Sequence, residues 1–378
     1  RKKEEFLYSS PQEMYQDNKV KKIMGPLDYQ AAMLDLYMQN INKKSVALEL
    51  PTGSGKTLVG LLIGEYRRRK NKEKVLFLCP TNQLVHQVVE QSNLKYGLKA
   101  IAFCGKQKDY SPKDKSNFLM AEAIGVTTYS SFFAVHSFFE DVDAIIMDDV
   151  HSCEDYIISN WTIQIEREST AFIEMAKLLR PFISETDYKY LLEDEYIPEV
   201  ASWCNMLSMP LILSKLDEIQ TVLQQGIEIG TSNYYAYSRI SENLKEFNIY
   251  IANRKILIRP WIAPTMFFKA FANAKQRVLM SATLGRSGEL ERITGIEKIF
   301  RLPIVNDWDK KGLGRKFFTF PDLSLGEEEQ GNVIMALQNL CKKSVFLVPD
   351  SLSAEAIKQF YEDNLKEVKV FEAKDIEK

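Results

Sequence analysis

The sequence predicts an α/β fold: a parallel sheet covered by helices, interrupted by a large helical insertion and followed by the start of a second α/β domain. Three observations lead there. Over residues 1–150, short β-rich runs alternate with helical patterns. Five of those runs, at 46–50, 75–79, 100–103, 123–127 and 144–148, are mostly apolar and short, as strands buried on both faces are. The residues with chemical potential fall directly after such runs, where loops at the carboxyl ends of parallel strands gather ligands.

Composition narrows the classes. A chain of 378 residues with 45% hydrophobic content can bury two or three cores. No run of about 18 apolar residues occurs, and Arg1-Lys2-Lys3-Glu4-Glu5 is not followed by the apolar stretch of a signal peptide. The expectation is a protein inside the cell, in the cytoplasm, with no membrane partner. Because the chain opens without methionine, the expectation is also a fragment of something longer. Cys79, Cys104, Cys153, Cys204 and Cys341 are scattered and odd in number, which suggests reduced thiols rather than a disulfide framework or a CxxC metal site. The net charge of −2 offers a polyanion no global attraction, so any nucleic-acid contact must come from local surfaces.

The first chemical motif is Pro51-Thr52-Gly53-Ser54-Gly55-Lys56-Thr57, between the run at 46–50 and the helical pattern that starts at Leu58. A phosphate loop needs glycines so that successive amides turn toward phosphate oxygens, a lysine for the β and γ phosphates, and a hydroxyl for magnesium. Gly53, Gly55, Lys56 and Thr57 supply them, although the strict GxxxxGK[ST] pattern would place glycine at Leu50. Farther along that helix, Arg67-Arg68-Arg69-Lys70 reads as a solvated cationic last turn, favoured by the helix dipole, rather than a nucleic-acid patch.

The second motif is Asp148-Asp149-Val150-His151, at the end of the run 144–148. A magnesium ion beside a triphosphate needs a carboxylate held at a strand end, and attack by water needs a neighbouring positioning group. Asp148 fits the first role and Asp149 the second. An Asp-Asp pair alone is also a common turn former.

Taken together, these pieces resemble the superfamily 2 helicases, in the right order along the chain. Residues 51–57 look like motif I in its TGSGKT form, which requires no glycine at Leu50. Residues 80–87, Pro80-Thr81-Asn82-Gln83-Leu84-Val85-His86-Gln87, look like motif Ia; Thr127-Thr128-Tyr129 looks like the following strand-contacting motif; residues 148–151 look like motif II and Ser281-Ala282-Thr283 like motif III. The resemblance implies ATP and Mg²⁺ as cofactors and a RecA-like motor domain. Thr52, Gly53, Ser54, Gly55, Lys56 and Thr57 would hold the nucleotide, with Gln30 standing where the family reads adenine. Thr57 and Asp148 would hold the metal. Lys56, Asp148, Asp149 and His151 form the implied catalytic set. Pro80, Thr81, Gln83, Thr127 and Thr128 would touch a single strand, while Ser281 and Thr283 would couple the two sites.

About 130 residues separate His151 from Ser281, where most branches of the superfamily need a few tens. The XPD/DinG branch carries a helical arch there, and His151-Ser152-Cys153-Glu154-Asp155 loosely echoes its motif II. The implied domains are 1–152, first RecA-like domain; 153–248, helical arch-like insertion; 249–302, the remainder with motif III; and 303–378, linker and incomplete start of a second RecA-like domain. That last part rests on Ser344-Val345-Phe346-Leu347-Val348-Pro349-Asp350-Ser351, which looks like motif IV. Within the insertion, Ile212, Leu216, Ile219 and Leu223, and Phe172, Ile173, Met175, Ala176 and Leu179, recur at helical spacing and read as core. Residues 250–260 read as a strand leading back into the first domain.

Three departures from the family qualify the expectation. Asp149 stands where glutamate is usual, one methylene shorter, which allows slow hydrolysis, and no QxxGRxGR-like segment with arginines for the γ-phosphate follows residues 344–351. Many members of the XPD/DinG branch hold an iron–sulfur cluster through four cysteines between motifs Ia and II, where this chain has Cys104 alone, so no cluster is expected. The insertion is acidic, with Glu193-Asp194-Glu195 prominent; this suits a protein partner, a small inner guiding face, or simply a solvated surface. The functional expectation is an ATP-driven helicase or translocase on single-stranded nucleic acid, DNA favoured over RNA, in repair or anti-phage defence. An RNA helicase of the Ski-like branch and a nucleotide-gated binding subunit with feeble turnover are the alternatives.

Overall fold

The apolar runs of the first 150 residues form parallel strands. The computed structural model describes residues 6–195, 197–286, 288–305, 320, 323–340, 344–348, 351–363 and 369–371. The chain divides into a unit over residues 1–306 and a second over 307–378.

In the first unit, β1 (Ser45–Glu49), β2 (Val75–Cys79), β3 (Ala100–Ala102), β4 (Ile124–Thr128) and β5 (Ala144–Met147) lie within a residue or so of the expected runs. Farther along the chain, β6 (Ile163–Glu166), β7 (Cys204–Leu207), β8 (Phe247–Ala252) and β9 (Lys255–Pro260) precede β10 (Gln276–Ser281) and β11 (Phe300–Arg301). Seven of these strands make one all-parallel sheet in the order β11-β1-β10-β5-β2-β4-β3, a RecA-like α/β architecture. Alternate side chains enter two different cores. Val46, Leu48, Val75, Phe77, Ile146, Val278 and Met280 face the helices α1 (Pro11–Gln16), α2 (Asp28–Gln39) and α3 (Lys56–Asn71). Ala47, Leu76, Leu78, Ile145, Met147 and Leu279 face a core continuous with that of the insertion.

Strand β10 has no counterpart among the expected runs, yet it lies between β1 and β5. Its first two residues are polar and buried because each is saturated with partners. Gln276 donates to the carbonyls of Ile41 and Lys43 and accepts from Tyr37 and Arg67. Arg277 donates to Phe271 O and Ser45 Oγ.

The insertion corrects two expectations. It is not helical throughout: β6, β9, β8 and β7 form a four-stranded antiparallel sheet in that order. Residues 250–260 are not a single returning strand, since they belong to the β8–β9 hairpin, which turns at Asn253 and Arg254, the latter with φ of 69°. The insertion lies in the same compact unit as the large sheet and shares a core with it. Its helical stripes are core as expected at Phe172, Met175, Ala176, Leu179, Ile212, Ile219 and Leu223, whereas Ile173 is exposed.

The basic run at the end of α3 also differs from a solvated cap. Arg67 and Arg68 are buried, because α3 is roofed over and each guanidinium meets a buried carboxylate, Glu73 and Glu65 respectively. In the second unit, helices Glu327–Leu340 and Ser351–Asp363 flank residues 344–348, which among the described residues have no strand partner. Phe346 there stacks on Tyr361. Pro349, Asp350 and Cys341 lie outside the described residues.

Candidate nucleotide site

Because every strand of the large sheet runs the same way, the motifs at the ends of β1, β10 and β5 converge on one edge. The loop after β1 turns at Gly53 (φ 82°) and Gly55 (φ 76°), left-handed conformations that side chains with a Cβ resist. At Gly55 a Cβ would also stand 2.4 Å from Gln30 Nε2. Helix α3 begins at Lys56, so its unpaired first-turn amides and dipole face the loop, as anion binding requires. Leu50 N donates to Ser281 O (2.9 Å), tying motif I to motif III.

Lys56 Nζ lies 3.3 Å from Asp149 Oδ1 across this edge. Asp149 has φ of 51°, a left-handed backbone in a residue other than glycine, which re-aims the chain where β5 ends. Asp148 is half-buried, but its Oδ1 is enclosed and has no hydrogen-bond partner. Burial pushes its carboxyl up to about 6; Lys56 opposes the shift and Asp149 adds to it. Since 6 lies above the ordinary value of 3.8, this group's contribution to stability is full below about pH 4 and is lost as pH rises through 6. At neutral pH the fold holds an under-neutralised carboxylate beside a phosphate loop. That orphaned oxygen fits a divalent cation shared with a phosphate, and the hydroxyl of Thr57, in the first turn of α3, is of the kind such a cation takes.

Neighbouring groups fix the strand end. Tyr129, whose hydroxyl burial keeps protonated, donates to Asp148 O (2.7 Å). His151 Nδ1 meets Thr283 Oγ1 at 2.8 Å and its Nε2 meets Glu289 Oε1 at 3.0 Å. Ser281 is buried and Thr283 exposed. Gln30 is 4% exposed and its amide is engaged: Oε1 accepts from Leu27 N, and Nε2 donates to Ser54 O, which Tyr29 also reaches at 2.7 Å. In this state Gln30 braces the loop. Ser54 Oγ is buried without a partner, while Thr52 and Gly53 are exposed.

The residues expected to touch nucleic acid cluster at the ends of β2 and β4, which are adjacent in the sheet. Thr81 caps helix α4 (Asn82–Glu90), accepting from Leu84 N, with Gln83 exposed beside it and Pro80 half-buried. Thr128 caps the short helix Tyr129–Phe132 and contacts Ser131 Oγ. Thr127 is buried, its hydroxyl donating to Phe103 O, so it supports the edge rather than facing solvent. Sequence reasoning missed Tyr29, Tyr129, Glu289 and Arg292. Only the tyrosines carried a signal, standing beside Gln30 and Thr128.

A glycine-rich loop ahead of a helix, a lysine, and an orphaned strand-end carboxylate define a nucleotide-binding fold of the phosphate-loop class. Residues 23–176, which hold the stretches that resemble motifs I, Ia and II, match the family described as Type III restriction enzyme, res subunit. None of the curated proteins matches the chain. Among solved structures it is similar to an XPD helicase (19% identity, 73% of this chain and 62% of that one, TM-score 0.41). It is also similar to Xpd4 of S. tokodaii (20%, 74% and 61%, 0.42) and the UvsW helicase of bacteriophage T4 (13%, 77% and 66%, 0.35). The chain spans about three-fifths of the length of three XPD structures it matches. Among the described residues no helix is long and apolar enough to cross a membrane, and no group of three or more His, Cys, Asp or Glu is placed to hold a metal unaided.

Proposed function

We propose that this chain is the ATP-binding motor portion of a superfamily 2 helicase or translocase that moves on single-stranded nucleic acid, DNA in preference to RNA, in repair or anti-phage defence. The observation that carries the reading is the meeting of Lys56 with Asp149, beside the orphaned Asp148, at an edge tied to motif III.

The chemistry follows from those positions. Lys56 and the amides of residues 53–55 hold the phosphates, and Thr57 with Asp148 would hold Mg²⁺, which neutralises phosphate charge when bound. As Lys56 turns to the phosphates it leaves Asp149, freeing that carboxylate to orient the attacking water. His151 and Thr283 then carry the change in the site toward motif III. Thr81, Gln83 and Thr128 sit at helix N-termini on the same sheet edge, suited to a phosphate backbone and indifferent to base sequence. The large insertion between motifs II and III favours the XPD/DinG branch over a Ski-like RNA helicase. A second reading, a nucleotide-gated subunit with feeble turnover, is favoured by the short reach of Asp149.

Steady-state ATP hydrolysis by the full-length protein, with single-stranded DNA, duplex DNA or RNA added in turn, tests the proposal. Stimulation greatest with single-stranded DNA is expected. Hydrolysis that responds to none of the three would leave the gated-subunit reading and overturn this one.

A further inference from the structure

The segment after motif II and the helix after motif III are joined by two parallel rungs. His151 pairs with Glu289 and, three residues on, Glu154 pairs with Arg292, which is three residues on from Glu289. Residues three apart share a face on a helical surface, so the match holds two successive turns of one segment against the other. Gly285 makes the approach possible: a Cβ there would stand 2.1 Å from Glu289 Oε2 and 3.0 Å from His151 Nε2.

Each rung reaches a different place. On the first, the Glu289 carboxylate accepts from His151 Nε2, so in the neutral ring Nδ1 keeps its lone pair and the Thr283 hydroxyl donates to it. Glu289 thus selects the tautomer that links motif II to motif III. On the second, Arg292 grips Glu154 through both guanidinium nitrogens at 2.7 Å, and Glu154 with Asp155 holds Arg259 of β9 at 2.9 and 2.8 Å. Arg292, followed by Arg259, keeps the Glu154 carboxyl below the usual carboxylate range. Arg292 also touches the chain where it returns from the insertion: its guanidinium lies 5.1 Å from the Trp261 ring centroid, and its carbonyl accepts from Ala263 N. One residue therefore binds both crossings, the outgoing one at Glu154 and the returning one at residues 261–263.

We propose that helix Glu289–Thr294 is a coupling strut, with Glu289 and Arg292 as positioning residues that pass the state of the nucleotide site to the β8–β9 hairpin of the insertion. The inference rests on the motor reading above. A purely structural ion pair would support the fold and leave coupling untouched, so the test must read coupling itself.

Two measurements on the full-length protein do so: the ratio of single-stranded-DNA-stimulated to basal ATPase turnover, and amide hydrogen exchange over residues 247–260 with and without a non-hydrolysable ATP analogue and Mg²⁺. Arg292→Met is expected to lower the stimulation ratio about tenfold, within the usual range for coupling between sites, and to abolish the nucleotide-dependent change in exchange. Arg292→Lys should restore part of both. Glu154→Gln, which keeps shape and volume, repeats the test should the methionine variant fold poorly by circular dichroism. A folded Arg292 or Glu154 variant with wild-type stimulation and wild-type exchange changes would overturn the strut. So would a wild-type protein that binds the analogue with no change in hairpin exchange. Wild-type turnover indifferent to every nucleic acid would instead defeat the motor reading, and the exchange measurement would still decide the strut.

Discussion

In the seven-stranded sheet successive side chains enter two different cores, whereas in the four-stranded sheet of the insertion one face is covered and the other open. Strand β2 is buried at all five positions, while β6 alternates buried with exposed and β8 alternates buried with half-buried. A strand enclosed on both faces has no room for polar chemistry along its length, so Asp148, Asp149 and Thr283 stand past strand ends. The insertion strands carry polar side chains along their open face, and Arg259 of β9 pairs with Glu154 and Asp155 of the segment after motif II. Chemistry is concentrated in one region and held at arm's length in the other.

That contrast would be broken first at Lys56. Lys56→Ala removes hydrogen bonds from a charged group to two phosphates, each contributing about 2 kcal/mol, so ATP affinity by titration calorimetry should fall roughly a thousandfold. Unchanged affinity in a folded variant would remove the phosphate-loop assignment. Ile251 probes the other side. It is fully buried on β8, and Ile251→Ala should cost about 3 kcal/mol in urea unfolding while ATP affinity of the folded protein changes about fivefold, the low end of the range for coupled sites and far below the loss at Lys56. A loss of affinity as large as that at Lys56 would mean that the insertion sheet is part of the nucleotide site itself.

The finest distinction lies at Asp149. Asp149→Asn should leave ATP binding intact and slow single-turnover hydrolysis on the order of a hundredfold, a typical loss for a general base. Asparagine tolerates the left-handed backbone there, so the fold survives. Asp149→Glu should preserve or raise stimulated hydrolysis through its longer reach, at a cost of about 1 kcal/mol in stability from the same backbone. If Asp149→Asn hydrolyses ATP at the wild-type rate, the residue is a turn former and motif II has been misassigned.

The same contrast explains what could be read from the sequence. Uninterrupted apolar runs announced β1 to β5, and glycine spacing announced the loop at residues 51–57, since both signals are local. Strand β10 was hidden by Gln276 and Arg277, whose burial depends on partners as remote as Tyr37 and Ser45. The insertion strands were hidden by an alternation over four to six residues that helical stripes nearby outweighed. Arg67 and Arg68 looked solvated because nothing local shows that Glu73 and Glu65 will be buried with them. Glu289 and Arg292 matter through partners more than 130 residues away, a distance that no periodicity spans.

The place of β10 between β1 and β5 also sets an order in time. A ribosome adding roughly 5–20 residues per second releases β5 well before residues 276–281 exist, and the gap beside β1 must wait for them. During those seconds the nascent chain holds its phosphate loop and its acidic strand end with two unpaired backbone edges between them. Both edges are templates for a stray strand from another chain. The insertion is the stretch being made in that interval. Its own sheet closes with the β8–β9 hairpin, shortly before the strand that completes the nucleotide edge emerges.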